Sequence, residues 1–114
     1  MLNNVLIYNP KCSKSRKALE ILEGKGIEFS KREYLESPLT KEELGEVLSV
    51  LGKEISDIVR VKEQDYIENN LSSVTPDELI DAVVRFPIIL ERPIVILSGK
   101  GVVARPPENI EDLF

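Results

Sequence analysis

Residues 4–16 of this chain read NVLIYNPKCSKSR, and this stretch decides the fold. Its first five residues are mostly β-branched or aromatic, and the Asn-Pro pair that follows them is typical of a strand end. The residues after the cysteine are good helix formers that run to Gly24, which can end a helix. The pattern predicts a strand over residues 4–8 and a helix over residues 13–23, with Cys12 at the helix N-terminus.

Three further strands are indicated outside this stretch. Residues 27–34 (IEFSKREY) alternate imperfectly between polar and apolar and predict a second strand, so that strand, helix and strand form a right-handed βαβ unit. Residues 94–97 (IVIL) and 102–104 (VVA) flank a Ser-Gly-Lys-Gly segment and predict a hairpin. A short amphipathic piece around Ile110 then closes the chain.

The segment between the second and third strands, about residues 35–90, is predicted to be a helical insert. Thr40 and Glu43 have the spacing of a capping box at the start of an amphipathic helix, and a second box begins at Thr75. The polar stretch between the two boxes resembles short helical turns more than strands. We therefore predict one α/β domain over residues 1–114, in the order β-α-β, helical insert, β-β-α.

The residue types that are rare or missing exclude several classes of protein. The 114 residues include no histidine and one cysteine, so Ser-His-Asp triads, Cys-His dyads, zinc sites of the usual kinds and intrachain disulfides are impossible. A net charge of -5 argues against a general nucleic-acid surface. No apolar run reaches the roughly 18 to 20 residues of a membrane span, and no signal-peptide pattern is visible. We expect a cytoplasmic monomer without metal or bound cofactor.

Cys12 is the first candidate for chemistry. Four cations surround it in the sequence, and no acid lies between residues 9 and 19; the cations are Lys11, Lys14, Arg16 and Lys17. A helix N-terminus and nearby cations both stabilise a thiolate and lower its pKa from the usual ~8.5, and high salt should weaken the effect of the cations. The alternative is that a lone cysteine is a small buried hydrophobe and the cations form a solvated helix face.

A serine and three arginines form the second set of candidates. Ser15 can donate a hydrogen bond to a thiolate but cannot form a disulfide, and it could equally be an ordinary first-turn helix residue. Arg92 precedes Pro93, and a cis bond there would direct Arg92 toward the start of the first helix. Arg60 and Arg105 could join it as a clamp for a tetrahedral oxyanion, since a guanidinium is a planar fork of donors. Each arginine could otherwise be a surface side chain.

Four short motifs together resemble the glutaredoxin-linked arsenate reductase family. They are NPKCSKSR at residues 9–16, YLESP at 34–38, ERPIV at 91–95 and RP at 105–106. Their order and spacing resemble that family over essentially the whole chain. The resemblance implies a thioredoxin-like fold with a helical insert between the second and third strands, and a cis peptide at Pro93. It also implies that Cys12 is the nucleophile. The oxyanion-binding residues would be Arg60, Arg92 and Arg105. The supporting residues would be Asn9, Ser15, Arg16 and Pro93.

The reaction implied by the resemblance is reduction of arsenate to arsenite. The Cys12 thiolate would attack arsenic, glutathione as co-substrate would displace it, and glutaredoxin would reduce the mixed disulfide. A single cysteine needs such an outside thiol in any case. Tyr8 departs from the family, whose well-studied enzymes have histidine there, so activation of the thiol is expected to rest on the helix terminus and the cations.

Two other functions are compatible with the same sequence. Spx-like regulators that bind RNA polymerase share the fold. They characteristically use a C-x-x-C switch, which this chain lacks because Ser15 stands in place of the second cysteine. The C-x-x-S pattern also fits a monothiol glutaredoxin-like oxidoreductase, but that function gives no role to Arg60, Arg92 and Arg105.

Overall fold

A mixed sheet of four short strands organises the computed structural model, which describes residues 2–114. The strands are β1 (Val5–Tyr8), β2 (Ser30–Glu33), β3 (Ile94–Leu97) and β4 (Lys100–Val103). Their spatial order is β2-β1-β3-β4, with β1 parallel to β2 and the other neighbours antiparallel. β1 and β3 lie in the centre of the sheet and are buried on both faces, which is why both are uninterrupted apolar runs.

The helices begin and end close to the positions that their caps predict. They are α1 (Ser13–Gly24), α2 (Lys41–Leu51), α3 (Gln64–Glu68) and α4 (Pro76–Arg85). Both capping boxes form, with the Thr40 and Thr75 hydroxyls accepting from backbone N–H groups at 3.1 and 3.2 Å. Short 3₁₀ turns fill the rest of the insert, at Ile55–Ile58, Leu71–Ser73 and Pro87–Ile89. No helix within residues 2–114 is long and apolar enough to cross a membrane.

Two hydrophobic cores lie on opposite faces of the sheet. On one face, α1 and the C-terminal 3₁₀ helix Pro107–Leu113 pack through Ala18, Leu22 and Ile110 onto alternate residues of β1 and β3. On the other face the helical insert packs against the remaining residues of both strands, chiefly through α2 and α4. The result is a three-layer α/β fold of thioredoxin-like type with a helical insert between β2 and β3, which confirms the predicted fold class.

Three element boundaries differ from the sequence prediction. β2 covers only the four residues that pair with β1, because Tyr34 turns into the core and the residues before Ser30 make no ladder. β4 begins two residues early, since Leu97 pairs directly with Lys100. Ser98 and Gly99, with φ of 51° and 79°, form the left-handed two-residue turn that suits a hairpin. The last amphipathic piece is a 3₁₀ helix rather than an α-helix.

The strand directions bring four chain segments to one end of the sheet. β1 and β2 run parallel and both end there, so the loop that carries Cys12 lies beside Tyr34. Ile94 pairs with Ile7 and with Val103, so the start of β3 and the end of β4 lie at the same end. The loops on either side of these strand ends form the candidate site.

Candidate active site around Cys12

The loop after β1 is held in a turn that sets Cys12 at the N-terminus of α1. The Asn9 carbonyl accepts from the Cys12 N–H at 2.9 Å, and the Asn9 side-chain Oδ1 accepts from the Lys11 N–H at 3.0 Å. The Asn9 N–H in turn donates to the Ser15 hydroxyl oxygen at 3.2 Å. Ser15 is fully buried and Asn9 is nearly so. These two supporting residues therefore fix the loop from inside the fold.

The Cys12 thiol has a pKa of about 7, well below that of an ordinary cysteine. Partial burial raises this pKa, but hydrogen bonds to the sulfur from the Ser15 and Lys14 backbone N–H groups, the Arg92 side chain and the Ser15 hydroxyl outweigh it. The two backbone donors belong to the first turn of α1, where N–H groups have no partner within the helix. A large fraction of the thiol is therefore ionised at neutral pH.

The four cations around Cys12 do not account for this lowered pKa. Lys11, Lys14, Arg16 and Lys17 are all exposed, and their side-chain charges are not among the groups that shift the thiol. The Arg16 Nη1 donates to the Pro10 carbonyl at 3.3 Å, so this supporting residue braces the outside of the loop. Water and salt screen exposed charges, whereas hydrogen bonds at the sulfur are short-range. The lowered pKa of Cys12 therefore comes from the helix N-terminus and Arg92, and not from the cation cluster that the sequence suggested.

Arg92 is the predicted arginine that reaches the thiol. The Arg92-Pro93 peptide is cis, as predicted, and the Arg105-Pro106 peptide, for which no prediction was made, is cis as well. The Arg92 side chain lowers the pKa of the Cys12 thiol and also that of the nearby Tyr34 hydroxyl. Burial raises the pKa of Tyr34 to about 12, and Arg92 only partly offsets that effect. Tyr34 therefore stays protonated at physiological pH.

Three buried polar atoms at this point have no hydrogen-bond partner in the described part of the chain. They are the Tyr34 hydroxyl and the Nε and Nη1 nitrogens of Arg92. Buried polar groups are nearly always paired in folded proteins, and the exceptions gather at functional sites. The three unpaired atoms mark the region beside Cys12 as the candidate site.

Arg60 and Arg105 meet at a carboxylate, Glu91. The Arg105 Nε lies 3.5 Å and the Arg60 Nε 3.9 Å from Glu91 Oε1. Arg60 also pairs with Glu63 through Nη1 at 3.0 Å, and the Arg105 Nη1 donates to the Arg92 carbonyl at 3.0 Å. The three predicted arginines are thus neighbours, but two of them already bind protein acceptors.

The position of Arg60 follows from a short bridge between the insert and the segment before β3. Its N–H donates to the Ile89 carbonyl at 2.7 Å, and the Glu91 N–H donates to the Ile58 carbonyl at 2.8 Å. Arg60, Glu91 and Arg105 line a cavity of about 260 Å³. A larger surface groove, about 1140 Å³, lies around Asn3 and Glu28 at the opposite end of the sheet and is lined by none of the candidate residues.

The sequence analysis missed Tyr34, Glu63 and Glu91. Two signals were available, because Glu63 follows Arg60 at a pairing distance of three residues and Glu91 directly precedes Arg92. Nothing in the sequence shows that Glu91 faces Arg105, since that contact depends on how β3 and β4 pair.

Tyr8 is buried in the core on the α1 face. Across residues 2–114 no group of histidine, cysteine or acidic side chains is arranged to hold a metal ion.

An activated thiol at the start of the first helix, facing a cis-proline loop, defines a thioredoxin-like thiol protein with an arginine-lined site. Residues 7–113 match the sequence model of the ArsC family. A protein of Escherichia coli K12 named uncharacterized protein YfgD is 41% identical, with 99% of this chain and 98% of that protein covered. The arsenate reductase of Neisseria meningitidis serogroup A is also 41% identical, with 93% of each chain covered.

Comparison of structures agrees with the comparison of sequences. The structure described as an arsenate reductase from Vibrio cholerae superposes with a TM-score of 0.90 at 38% identity, covering 98% of this chain and 99% of that one. This chain therefore belongs to the ArsC family.

Proposed function

We propose that this protein is an arsenate reductase that uses Cys12 as its nucleophile. The observation that carries the proposal is the pairing of an ionised thiol with Arg92, whose buried Nε and Nη1 nitrogens have no hydrogen-bond partner within residues 2–114. A nucleophile beside unpaired cationic donors suits a tetrahedral oxyanion. Relatives similar over nearly the whole chain are named arsenate reductase, which supports arsenate as that oxyanion.

In the first step the Cys12 thiolate attacks the arsenic atom of bound arsenate. A sulfur–arsenic bond forms, and one arsenate oxygen leaves as water after taking up protons. Arg92 stabilises the negative charge on the remaining oxygens, and the neighbouring Arg60 and Arg105 add positive charge that Glu63 and Glu91 partly offset. Arsenic is still pentavalent in this adduct.

The second step needs a thiol from outside the chain, because the protein has one cysteine. Glutathione thiolate attacks the Cys12 sulfur, the sulfur–arsenic bond breaks, and its electron pair stays on arsenic, which leaves as arsenite. A Cys12–glutathione mixed disulfide remains. A glutaredoxin thiol then attacks the glutathione sulfur and releases the Cys12 thiol. The two electrons for arsenic come from thiols, so the scheme uses no metal or organic cofactor.

This scheme places the protein in the cytoplasm, where glutathione keeps thiols reduced. One chain supplies every residue in the scheme, so we propose that a monomer is active. Asn9, Ser15 and Arg16 support the reaction by fixing the Cys12 loop. Pro93 is the fourth supporting residue and directly follows Arg92, whose carbonyl accepts from the Arg105 Nη1 at 3.0 Å.

The test is arsenate-dependent oxidation of NADPH in the presence of glutathione, glutaredoxin and glutathione reductase. We expect sustained oxidation with the wild-type protein and none with Cys12→Ser. Oxidation that requires Cys12 but not arsenate, with a small disulfide as substrate, would identify a glutaredoxin-like oxidoreductase instead. Inactivity in both assays together with capture of RNA polymerase would favour the regulator.

A further inference from the structure

Glu91 places a negative charge inside the arginine cluster. Its side chain is 27% exposed, and one oxygen, Oε1, faces the Nε atoms of both Arg60 and Arg105. The same oxygen lies 3.4 Å from the Arg92 backbone N–H. Glu91 therefore already occupies positions at which both arginines could bind an entering anion.

Two carboxylates offset part of the charge of the arginine cluster. Glu63 pairs with Arg60, and Glu91 pairs with both Arg60 and Arg105. The cavity that Glu91 lines with these two arginines and Lys62 is therefore less cationic than its arginines and lysine alone would make it. Such a site attracts a doubly charged anion much less than three free arginines would.

We propose that Glu91 determines the anion charge that the site accepts, by disfavouring doubly charged oxyanions relative to singly charged ones. The inference rests on the proposed oxyanion site and goes beyond it, because it assigns charge selectivity to one carboxylate. The repulsion energy is proportional to the product of the two charges. Removal of the Glu91 charge should therefore lower the dissociation constants of both kinds of anion. The factor for a dianion should be the square of the factor for a monoanion.

Glu91→Gln tests this inference, because the amide has nearly the same shape and keeps an acceptor oxygen. Sulfate and methanesulfonate are suitable probes, since both are tetrahedral and carry two charges and one charge at neutral pH. Binding is measured as protection of Cys12 from alkylation, which does not require turnover. Glu28→Gln removes an exposed carboxylate at the opposite end of the sheet and is the control for net charge. Glu91→Asp keeps the charge and controls for side-chain shape.

We expect Glu91→Gln to lower the dissociation constant of methanesulfonate about threefold and that of sulfate about tenfold. Glu28→Gln and Glu91→Asp should leave the ratio of the two constants at its wild-type value. Equal changes for both anions, or no change in Glu91→Gln while the wild-type protein is protected by sulfate, would overturn the inference and leave the proposed function intact. If neither anion protects any variant, the oxyanion site and the inference both fail.

Discussion

Cys12 owes its reactivity to contacts made within four residues of itself and to Arg92. We predict that its alkylation rate rises with pH along a single ionisation centred at about 7. Added salt should move this midpoint little, because hydrogen bonds rather than exposed lysines lower the pKa. The same protein unfolded in urea is the control, and its midpoint should return to about 8.5. A folded midpoint at or above that value would remove the basis for a catalytic thiol.

The thiolate-forming step, followed by alkylation without arsenate, should show no protein ionisation near neutrality besides that of Cys12. Histidine is absent, and the pKa of Tyr34 lies at about 12, so neither supplies a second group that titrates near neutrality. The thiolate-forming step is therefore expected to show one ionisation. A second ionisation near neutrality that persists after Cys12 is fully deprotonated would contradict this assignment.

Arg92 is predicted to matter through its fork of donors and not through its charge alone. Arg92→Lys keeps the charge but loses donors that are worth about 1.5–3 kcal/mol each when charged, so arsenate turnover should fall about 10- to 100-fold. The pKa of Cys12 should rise as well, because Arg92 stabilises its thiolate. Arg85→Lys, on the exposed end of α4, is the matched control. Wild-type kinetics in Arg92→Lys would show that this arginine does not bind substrate.

Tyr34 provides a prediction about stability. Its buried hydroxyl makes no hydrogen bond within residues 2–114, which costs about 1–3 kcal/mol, so Tyr34→Phe should leave the free energy of unfolding unchanged or raise it. Tyr34→Ala should instead lower it by about 3–5 kcal/mol, because the ring is fully buried. Urea unfolding measures both. A loss in Tyr34→Phe of more than about 1 kcal/mol would mean that the hydroxyl has a partner in the folded protein.

Single residues were predictable from sequence where their surroundings are local. The place of Cys12 at the start of a helix depends on neighbours in the sequence and was predicted from them. The cis bond before Pro93 was predicted from the resemblance to the family. The partners of the arginines were not predictable, because Glu91 meets Arg105 only after the sheet has formed.

At the scale of elements, the helices with capping boxes were predicted well and the strands less well. A capping box needs only four adjacent residues, and both boxes form at the predicted threonines. β2 came out shorter than predicted because its length is set by pairing with β1, which sequence alternation alone does not reveal. The hairpin loop is also shorter than predicted, because Leu97 pairs directly with Lys100.

The connection between β2 and α2 depends on one ion pair. Glu43 closes the capping box of α2 and also binds both outer nitrogens of Arg32 on β2, at 2.8 and 2.9 Å. The remaining donors of Arg32 bind the Ser37 and Pro38 carbonyls. The Arg32 guanidinium, above all other groups, holds the pKa of Glu43 below its usual value. The pair thus holds the loop that follows Tyr34.

Glu43→Gln is expected to lower the free energy of unfolding at pH 7 by about 1–3 kcal/mol. Because the pKa of this carboxyl is lower in the folded protein, its stabilisation is present above the unfolded pKa of about 4.3 and is lost as pH falls through the folded value. The difference between wild type and variant should therefore shrink in acid. Urea unfolding at pH 7 and below pH 4 checks this, with exposed Glu42→Gln as the control. A difference that is the same at both pH values would contradict the ion-pair assignment.

At the scale of the whole molecule, the sheet assembles a site from segments that are far apart in the sequence. The loop after β1 supplies the thiol, the insert supplies Arg60, and the segments around β3 and β4 supply Arg92 and Arg105. The overall order of elements was predictable because each has its own local signal. The position of Glu91 between Arg60 and Arg105 was not, because it results from the assembly.

The central claim is that one cysteine per chain forms an adduct but cannot reduce arsenic without an outside thiol. The most direct test uses reduced protein from which all added thiols have been removed, incubated with excess arsenate. The arsenite formed per mole of protein is measured before and after glutathione and glutaredoxin are added. We predict no arsenite before the addition and many equivalents after it, with Cys12→Ser inactive throughout. More than one equivalent of arsenite formed without added thiol, or turnover by Cys12→Ser, would contradict the account.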